Sequence, residues 1–189
     1  FVKAPGITRA GSSCDVPVSG IDFYPSLLAL AGVEMPAGQD VDGMDFGPLL
    51  RGESAPALAA RDLFWHYPHY GNQGGEPSSI IMRGDWKLIH YYEDGRDELY
   101  HLGTDPAETR DIAAEQPEKA KALRKALDAW IVASGAKLPV PDSEYSEEAY
   151  QAWLQRQKTS VMAGLERQHA GFLAEDYTPN GDWWGSLVD

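Results

Sequence analysis

The chain has 189 residues, of which 43% are hydrophobic and 24% are charged, and its net charge at pH 7 is −13. This composition is that of a globular chain able to build a core. The acidic excess, without runs of Lys or Arg, argues against nucleic acid or an anionic membrane as the main partner. No apolar stretch approaches the 18 residues of a transmembrane helix. The single cysteine leaves no internal disulfide and no cysteine-based zinc cluster.

The first 60 residues predict a strand, a helix and a long loop. Residues 16–18 suggest a short strand. The following stretch SGIDFYPSLLALAG predicts a helix, with Ser19 or Asp22 as its N-cap and Gly32 as its stop. Repeated Gly and Pro predict an irregular loop over residues 33–60.

The clearest β pattern lies in SSIIMRGDWKLIHYYEDGRDELYHL, residues 78–102. Three apolar runs are separated by short turns around Gly84 and Gly95, which predicts antiparallel strands over residues 79–101. Alternation in the middle run places Trp86, Leu88, His90 and Tyr92 on one face, with Trp86 largely buried.

A helix is predicted over residues 117–134. Pro117 suits the first helical position and Gly135 the position after the end, and an apolar stripe at helical spacing should cover one face of the sheet. Residues 141–189 predict a linker and a helical tail from about residue 147 to 173, capped by Ser146. Trp183 and Trp184 near the end are expected to dock on another surface.

The residues that could carry chemistry are few. No likely base lies near Cys14, His66 and His69 are three apart within WHYPHY, and His90 and His101 fall on neighbouring predicted strands. The patterns of a zinc protease, a dense Asp/His cluster and a phosphate-binding loop do not occur. Residues alone therefore indicate an α+β module with a small antiparallel sheet and a covering helix, without a reaction centre.

The order of the motifs is more specific. A D-x-x-P-S-L-L helix, a D-G-x-x-x-x-P-L-L element, R-x-x-W-K-L-I, E-L-Y-x-L and D-P-x-E occur in this order between residues 5 and about 140. This ordered set resembles the C-terminal third of the type I, formylglycine-dependent sulfatases of the alkaline phosphatase superfamily.

The resemblance implies a fold in three parts: the end of a sulfatase α/β catalytic domain (1–60), an antiparallel sheet and helix subdomain (61–140), and a linker with an aromatic-rich helical tail (141–189). It also implies a sulfuric ester hydrolase whose formylglycine and calcium belong to an upstream part. Cys14 does not fit the C/S-x-P-x-R motif, because Val16 and Val18 stand where Pro and Arg are required. The chain alone is therefore expected to be inactive, with no catalytic residue or metal ligand. By resemblance, the full-length enzyme is expected to be periplasmic or secreted.

The same resemblance places WHYPHY in a loop near the mouth of the active-site cleft. His66 or His69 is expected to donate a hydrogen bond to a sulfated sugar, Tyr67 or Trp65 to stack on a ring, and Arg83 to meet a substrate anion. The alternatives are a packed aromatic corner and, for Arg83, a salt bridge at the sheet edge. The substrate of the full-length enzyme is expected to be either a sulfated sugar or an aryl sulfate. The expected protein partner of this chain is the missing N-terminal catalytic part. A carbohydrate-binding module and a phosphonate or phosphodiester hydrolase are the rival functions.

Overall fold

The computed structural model describes residues 1–71 and 75–178 and divides the chain into two compact units, Phe1–Pro139 and Val140–Asp189. The described part of the first unit holds four α-helices, a 3-10 turn over Gly20–Asp22 and one sheet. The helices are α1 (Phe23–Leu30), α2 (Gly47–Leu50), α3 (Pro56–Ala60) and α4 (Pro117–Ser134), and the strands are β1 (Asp62–Tyr67), β2 (Ser78–Arg83), β3 (Trp86–Tyr91) and β4 (Asp97–His101).

The sheet is antiparallel, with its strands in the chain order β1-β2-β3-β4. The α+β prediction and the three strands within residues 79–101 are confirmed. The turn glycines Gly84 and Gly95 have φ angles of 55° and 73°, a left-handed conformation that side chains disfavour. The fourth strand, β1, includes the first three residues of WHYPHY, so the prediction of a loop there was wrong. The apolar part of β1 is only three residues long, Leu63 to Trp65, so the sequence shows no clear alternation of apolar and polar residues there.

Helix α4 covers one face of the sheet, as its apolar stripe predicts. The core between helix and sheet contains the buried side chains Ile81, Leu88, Leu99, Ala120, Leu123, Leu127 and Ile131. Phe64 of β1 and Trp130 of α4 stack with their ring centroids 4.8 Å apart. Trp86 packs against this core but is only half-buried, beside His101 and with the Lys119 ammonium 5.1 Å from its ring centroid. The prediction that Trp86 is largely buried is confirmed in part: the side chain packs on the core but keeps some exposure, because it lies at the end of β3, under the first turn of α4.

Two predictions for the first 60 residues also fail. Residues 16–18 form no strand, since Pro17 lacks a backbone N–H and no described strand pairs with this segment. The loop over residues 33–60 contains α2 and α3, each of which has a proline at its first or second helical position. These prolines start helices rather than break them, because the first helical residues need no N–H.

Buried polar side chains tie α1 to the segments around it. The carboxylate of Asp22, which is fully buried, accepts hydrogen bonds from Arg61 and from the backbone N–H groups of Ser19 and Met44. Burial opposes ionisation of this carboxyl, but the Arg61 guanidinium and the two N–H donors outweigh it and lower its pKa to about 2.

Gly43, from the D-G pair of the second motif, packs at the same junction. A Cβ on Gly43 would lie 2.0 Å from the carbonyl oxygen of Ile21, so only glycine lets this loop approach α1 so closely. The hydroxyl of Ser26, from the first motif, donates to the Asp22 carbonyl at 2.7 Å and accepts from the Phe46 N–H at 2.9 Å. The two motifs are therefore two sides of one packed junction.

The W-K and D-P-x-E motifs also meet. Lys87 of β3 donates to both carboxylate oxygens of Glu108, at 2.7 and 2.6 Å. Glu108 has a φ of 54°, which is strained for a residue with a side chain. Asp105 accepts from the N–H groups of Thr109 and Arg110 and closes the turn. These residues hold the segment after β4 against the sheet.

The described part of the second unit is largely helical, as predicted. Helices α5 (Glu147–Arg156) and α6 (Met162–Phe172) are joined by a π-helical segment, Gln157–Val161, and Ser146 caps α5 by accepting from the Ala149 N–H. The predicted docking of Trp183 and Trp184 lies outside the described residues. Over residues 1–71 and 75–178, no helix is both long and apolar enough to cross a membrane.

Candidate functional site

The WHYPHY stretch straddles the end of the edge strand β1. Trp65, His66 and Tyr67 belong to β1, and Pro68 to Tyr70 follow it. Side chains alternate between the two faces of a strand. His66 therefore shares the α4 side of the sheet with Phe64, while Trp65 and Tyr67 project from the opposite side.

His66 is held by the chain itself. Its Nδ1 lies 2.6 Å from the Ser79 hydroxyl, and its Nε2 lies 2.8 Å from the backbone carbonyl of Lys137, just after α4. Ser79 is fully buried and also lies 2.7 Å from the Tyr92 hydroxyl. Both ring nitrogens of His66 are therefore occupied by groups of this chain.

Trp65, Tyr67 and His69 form an exposed group that we call the β1 aromatic surface. Trp65 is 41% exposed and Tyr67 is 54% exposed. The exposed His69 ring meets the Tyr67 ring edge to face, with centroids 5.6 Å apart. Flat apolar rings beside an imidazole nitrogen offer both stacking and hydrogen bonding to a ligand.

Arg83 is engaged with a strand neighbour. Its Nε and Nη2 donate to the two carboxylate oxygens of Asp62, directly across the β1–β2 pair, at 2.7 and 2.5 Å. The pKa of Arg83 is raised, chiefly by these hydrogen bonds to the Asp62 carboxylate. Arg83 remains about half exposed, with a side-chain exposure of 48%. This is the sheet-edge salt bridge that the sequence left as the alternative to an anion contact.

A second polar cluster lies on the α4 side of the sheet. The carboxylate of Asp97 lies 2.8 Å from Nδ1 of the buried His90 and 2.9 Å from Nη1 of Arg124, which extends from α4. Burial lowers the pKa of Arg124, but hydrogen bonds to Asp128 and Asp97 outweigh it and raise the pKa, which keeps the guanidinium charged. Sequence reasoning missed this cluster, and only the β3–β4 register together with the helix phase could have revealed it.

Cys14 is exposed, and among residues 1–71 and 75–178 no three His, Cys, Asp or Glu side chains gather to hold a metal ion. A formylglycine and a calcium ion do not fit these residues, since Cys14 has the wrong flanking residues and the acidic side chains are dispersed. The arrangement is suited to contact a ligand and to support a neighbouring structure.

Comparison with known proteins agrees with this architecture. The model of the family described as N-sulphoglucosamine sulphohydrolase, C-terminal, matches residues 1–134, and the chain belongs to this family of sulfatase C-terminal domains. A sulfatase of Formosa agariphila is 34% identical over 147 residues, which are 71% of this chain and 27% of that protein. An N-acetylglucosamine-6-O-sulfatase of Bacteroides thetaiotaomicron is 33% identical over 133 residues, 68% of this chain and 24% of that protein.

A solved structure shows the same fold. The crystal structure of a putative sulfatase from Bacteroides thetaiotaomicron superimposes with a TM-score of 0.52 and 27% sequence identity, covering 60% of this chain and 24% of the other. The matched stretch spans about a quarter of the length of each of these three proteins. The family resemblance found in the ordered motifs is confirmed.

Proposed function

We propose that this chain is the C-terminal part of a sulfatase that hydrolyses sulfate esters of a carbohydrate. The bond-breaking groups belong to a preceding catalytic part, and this chain adds a stable sheet and a sugar-contacting surface. The observation that carries the proposal is the family match over residues 1–134, combined with an exposed aromatic group on β1. The likeness to an N-acetylglucosamine-6-O-sulfatase supports an amino sugar as the substrate class.

The β1 aromatic surface suits the body of a sugar rather than its sulfate. Trp65 and Tyr67 present uncharged, half-exposed rings that can stack on the apolar face of a pyranose. His69 beside Tyr67 supplies a hydrogen-bonding nitrogen for a hydroxyl or amide group. A chain with a net charge of −13 is a poor general attractor of a sulfated polymer, so recognition of the sulfate is assigned to the catalytic part.

His66 and Arg83 stay outside this proposed contact surface. The nitrogens of His66 are already bonded to Ser79 and Lys137, and Arg83 is paired through two hydrogen bonds with Asp62. Breaking either set for a ligand would cost the energy of the contacts that are lost. Their substrate contact, expected from the sequence, stays a prediction without support from this geometry.

Exposed apolar side chains on α1 support the proposal of a contact with the catalytic part. Phe23 and Leu27 are 49% and 60% exposed, although the Phe23 ring also meets the Phe46 ring edge to face. An apolar helix face of this kind is normally covered. We assign it to contact with the catalytic part of the full-length enzyme. That enzyme would carry the formylglycine and calcium and act in the periplasm or outside the cell, as in sulfatases generally.

Two variants of the full-length enzyme test the sugar contact. Tyr67→Ala and His69→Ala are each expected to lower kcat/KM for a sulfated amino sugar by roughly 10-fold or more relative to a small aryl sulfate, since one well-formed contact is worth about 1–3 kcal/mol. The aryl sulfate needs only the sulfate pocket, so its rate isolates the reaction centre. Steady-state kinetics on both substrates measures this ratio.

Tyr150→Ala, which truncates a 40% exposed aromatic of α5, is the matched control and should leave the ratio unchanged. Equal losses on the two substrates, or no loss on either, would contradict a sugar-reading role for the β1 aromatic surface. Sugar binding without sulfate release by the full-length protein would favour the carbohydrate-binding module instead.

A further inference from the structure

A row of polar side chains crosses the otherwise apolar interface between the sheet and α4. The strand register places His66 opposite Ser79, Ser79 opposite His90, and His90 opposite Asp97. The neighbouring row on the same face is Phe64, Ile81, Leu88 and Leu99, which form or line the apolar core. The polar row therefore lies beside the core, at the end of the sheet where β1 leads into Pro68.

With a neutral His66 ring, only one assignment of donors and acceptors fits the hydrogen bonds at the β1 end of this row. The Lys137 carbonyl can only accept, so the Nε2 of His66 carries the proton and donates to it at 2.8 Å. Nδ1 then accepts, and the Ser79 hydroxyl donates to it at 2.6 Å. Ser79 in turn accepts from the Tyr92 hydroxyl at 2.7 Å. This chain of bonds links β1, β2, the residue after β3 and the segment after α4.

These bonds act on an edge strand. β1 pairs with β2 on one side only, so its position depends more on side-chain contacts than that of a central strand. His66 lies between Trp65 and Tyr67 in sequence, and those two rings project from the opposite face. Fixing the His66 side chain therefore fixes the backbone from which both rings extend.

The structure assigns Ser79, together with His66 and Tyr92, the role of positioning residues that set the placement of the β1 aromatic surface against the substrate. This inference rests on the proposed function, because it presumes that Tyr67 and its neighbours contact the sugar. A buried hydroxyl such as Ser79 must keep its partners, since an unsatisfied polar group costs free energy in the core. A misplacement of about 1 Å at a contact surface can lower turnover by up to about 100-fold.

The test uses the full-length enzyme and a double-mutant cycle between Ser79→Ala and Tyr67→Ala. Ser79→Ala is expected to lower the ratio of kcat/KM for a sulfated amino sugar over a small aryl sulfate by about tenfold, mainly through KM. In the Tyr67→Ala background, the same Ser79→Ala change should lower the ratio by clearly less than in wild type, because Ser79 acts in part through Tyr67. A purely structural role would lower the amount of folded enzyme without moving the ratio.

Ser26→Ala is the matched control. Ser26 is also a fully buried, hydrogen-bonded serine, but it lies in α1, and its loss should leave the substrate ratio unchanged. If Ser79→Ala does not yield folded enzyme, Tyr92→Phe removes one hydroxyl from a half-buried ring and tests the same chain of bonds.

The outcomes separate this inference from the proposed function. If Tyr67→Ala lowers the ratio while Ser79→Ala and Tyr92→Phe do not, the positioning role is overturned and the sugar contact stands. Additive effects of Ser79→Ala and Tyr67→Ala also overturn it. If Tyr67→Ala itself leaves the ratio unchanged, the proposed sugar contact fails first, and the positioning role fails with it.

Discussion

Replacing Arg61 by methionine is expected to destabilise the chain by about 3–5 kcal/mol, because it leaves a fully buried carboxylate without its cationic partner. The Asp22 carboxylate would keep only the N–H donors of Ser19 and Met44. The junction between α1, the loop before α2 and the start of β1 would then lose the group that holds it together. Urea unfolding of wild type and variant at pH 7 measures the difference in unfolding free energy.

Arg83→Met is the matched control for this change. It removes an equally well-formed Arg–Asp pair, but one in which the arginine is about half exposed, so the expected cost is below about 1 kcal/mol. Adding Asp22→Asn to Arg61→Met should recover part of the lost stability, because it removes the unpaired charge. Equal costs for Arg61→Met and Arg83→Met would contradict the assignment of Asp22 as a buried structural anion.

The same pair predicts a pH dependence. The folded-state pKa of Asp22, about 2, lies below the value of about 3.9 in an unfolded chain. The stability that this pair contributes is therefore complete above about pH 5 and is lost as the pH falls towards 2. The gap in unfolding free energy between wild type and Arg61→Met should therefore narrow as the pH falls towards 2.

Leu127→Ala should have an effect of similar size through packing alone. Leu127 is fully buried in α4, in the same cluster as Ile81, Leu88 and Leu99. Truncating such a leucine removes its transfer free energy and leaves a cavity, which together cost about 2–5 kcal/mol. Val132→Ala, on the same helix but 81% exposed, should change the stability by less than about 0.5 kcal/mol. Comparable urea midpoints for the two variants would argue against α4 as the cover of the sheet.

Much of the fold could be predicted from the sequence, because its local patterns agree with its tertiary packing. The turns at Gly84 and Gly95 fix three strands, and the stripe from Ala120 to Ile131 fixes the helix that covers them. Strand β1 could not be predicted in this way. Its residues include two polar-tipped aromatics and a histidine, and only pairing with β2 shows which of them face the core.

The candidate site was harder to predict for the same reason. WHYPHY suggested two equivalent histidines, but the strand alternation separates them: His66 is tied to Ser79 and Lys137, while His69 is exposed beside Tyr67. The motifs shared with sulfatases indicate the family, but they do not mark the candidate site. In this chain Asp22, Gly43, Lys87 and Glu108 make structural contacts, so these motifs identify the family through its scaffold rather than its chemistry.

Sulfate release from one sulfated amino sugar, measured for this chain alone and for the full-length protein, shows which part of the protein holds the reaction centre. We expect the full-length protein to release inorganic sulfate and the 189-residue chain to stay at the level of the buffer blank. Sulfate release by the chain alone would place a reaction centre within it and would overturn the proposed function. So would a full-length protein that cleaves a phosphonate monoester but leaves sulfate esters intact.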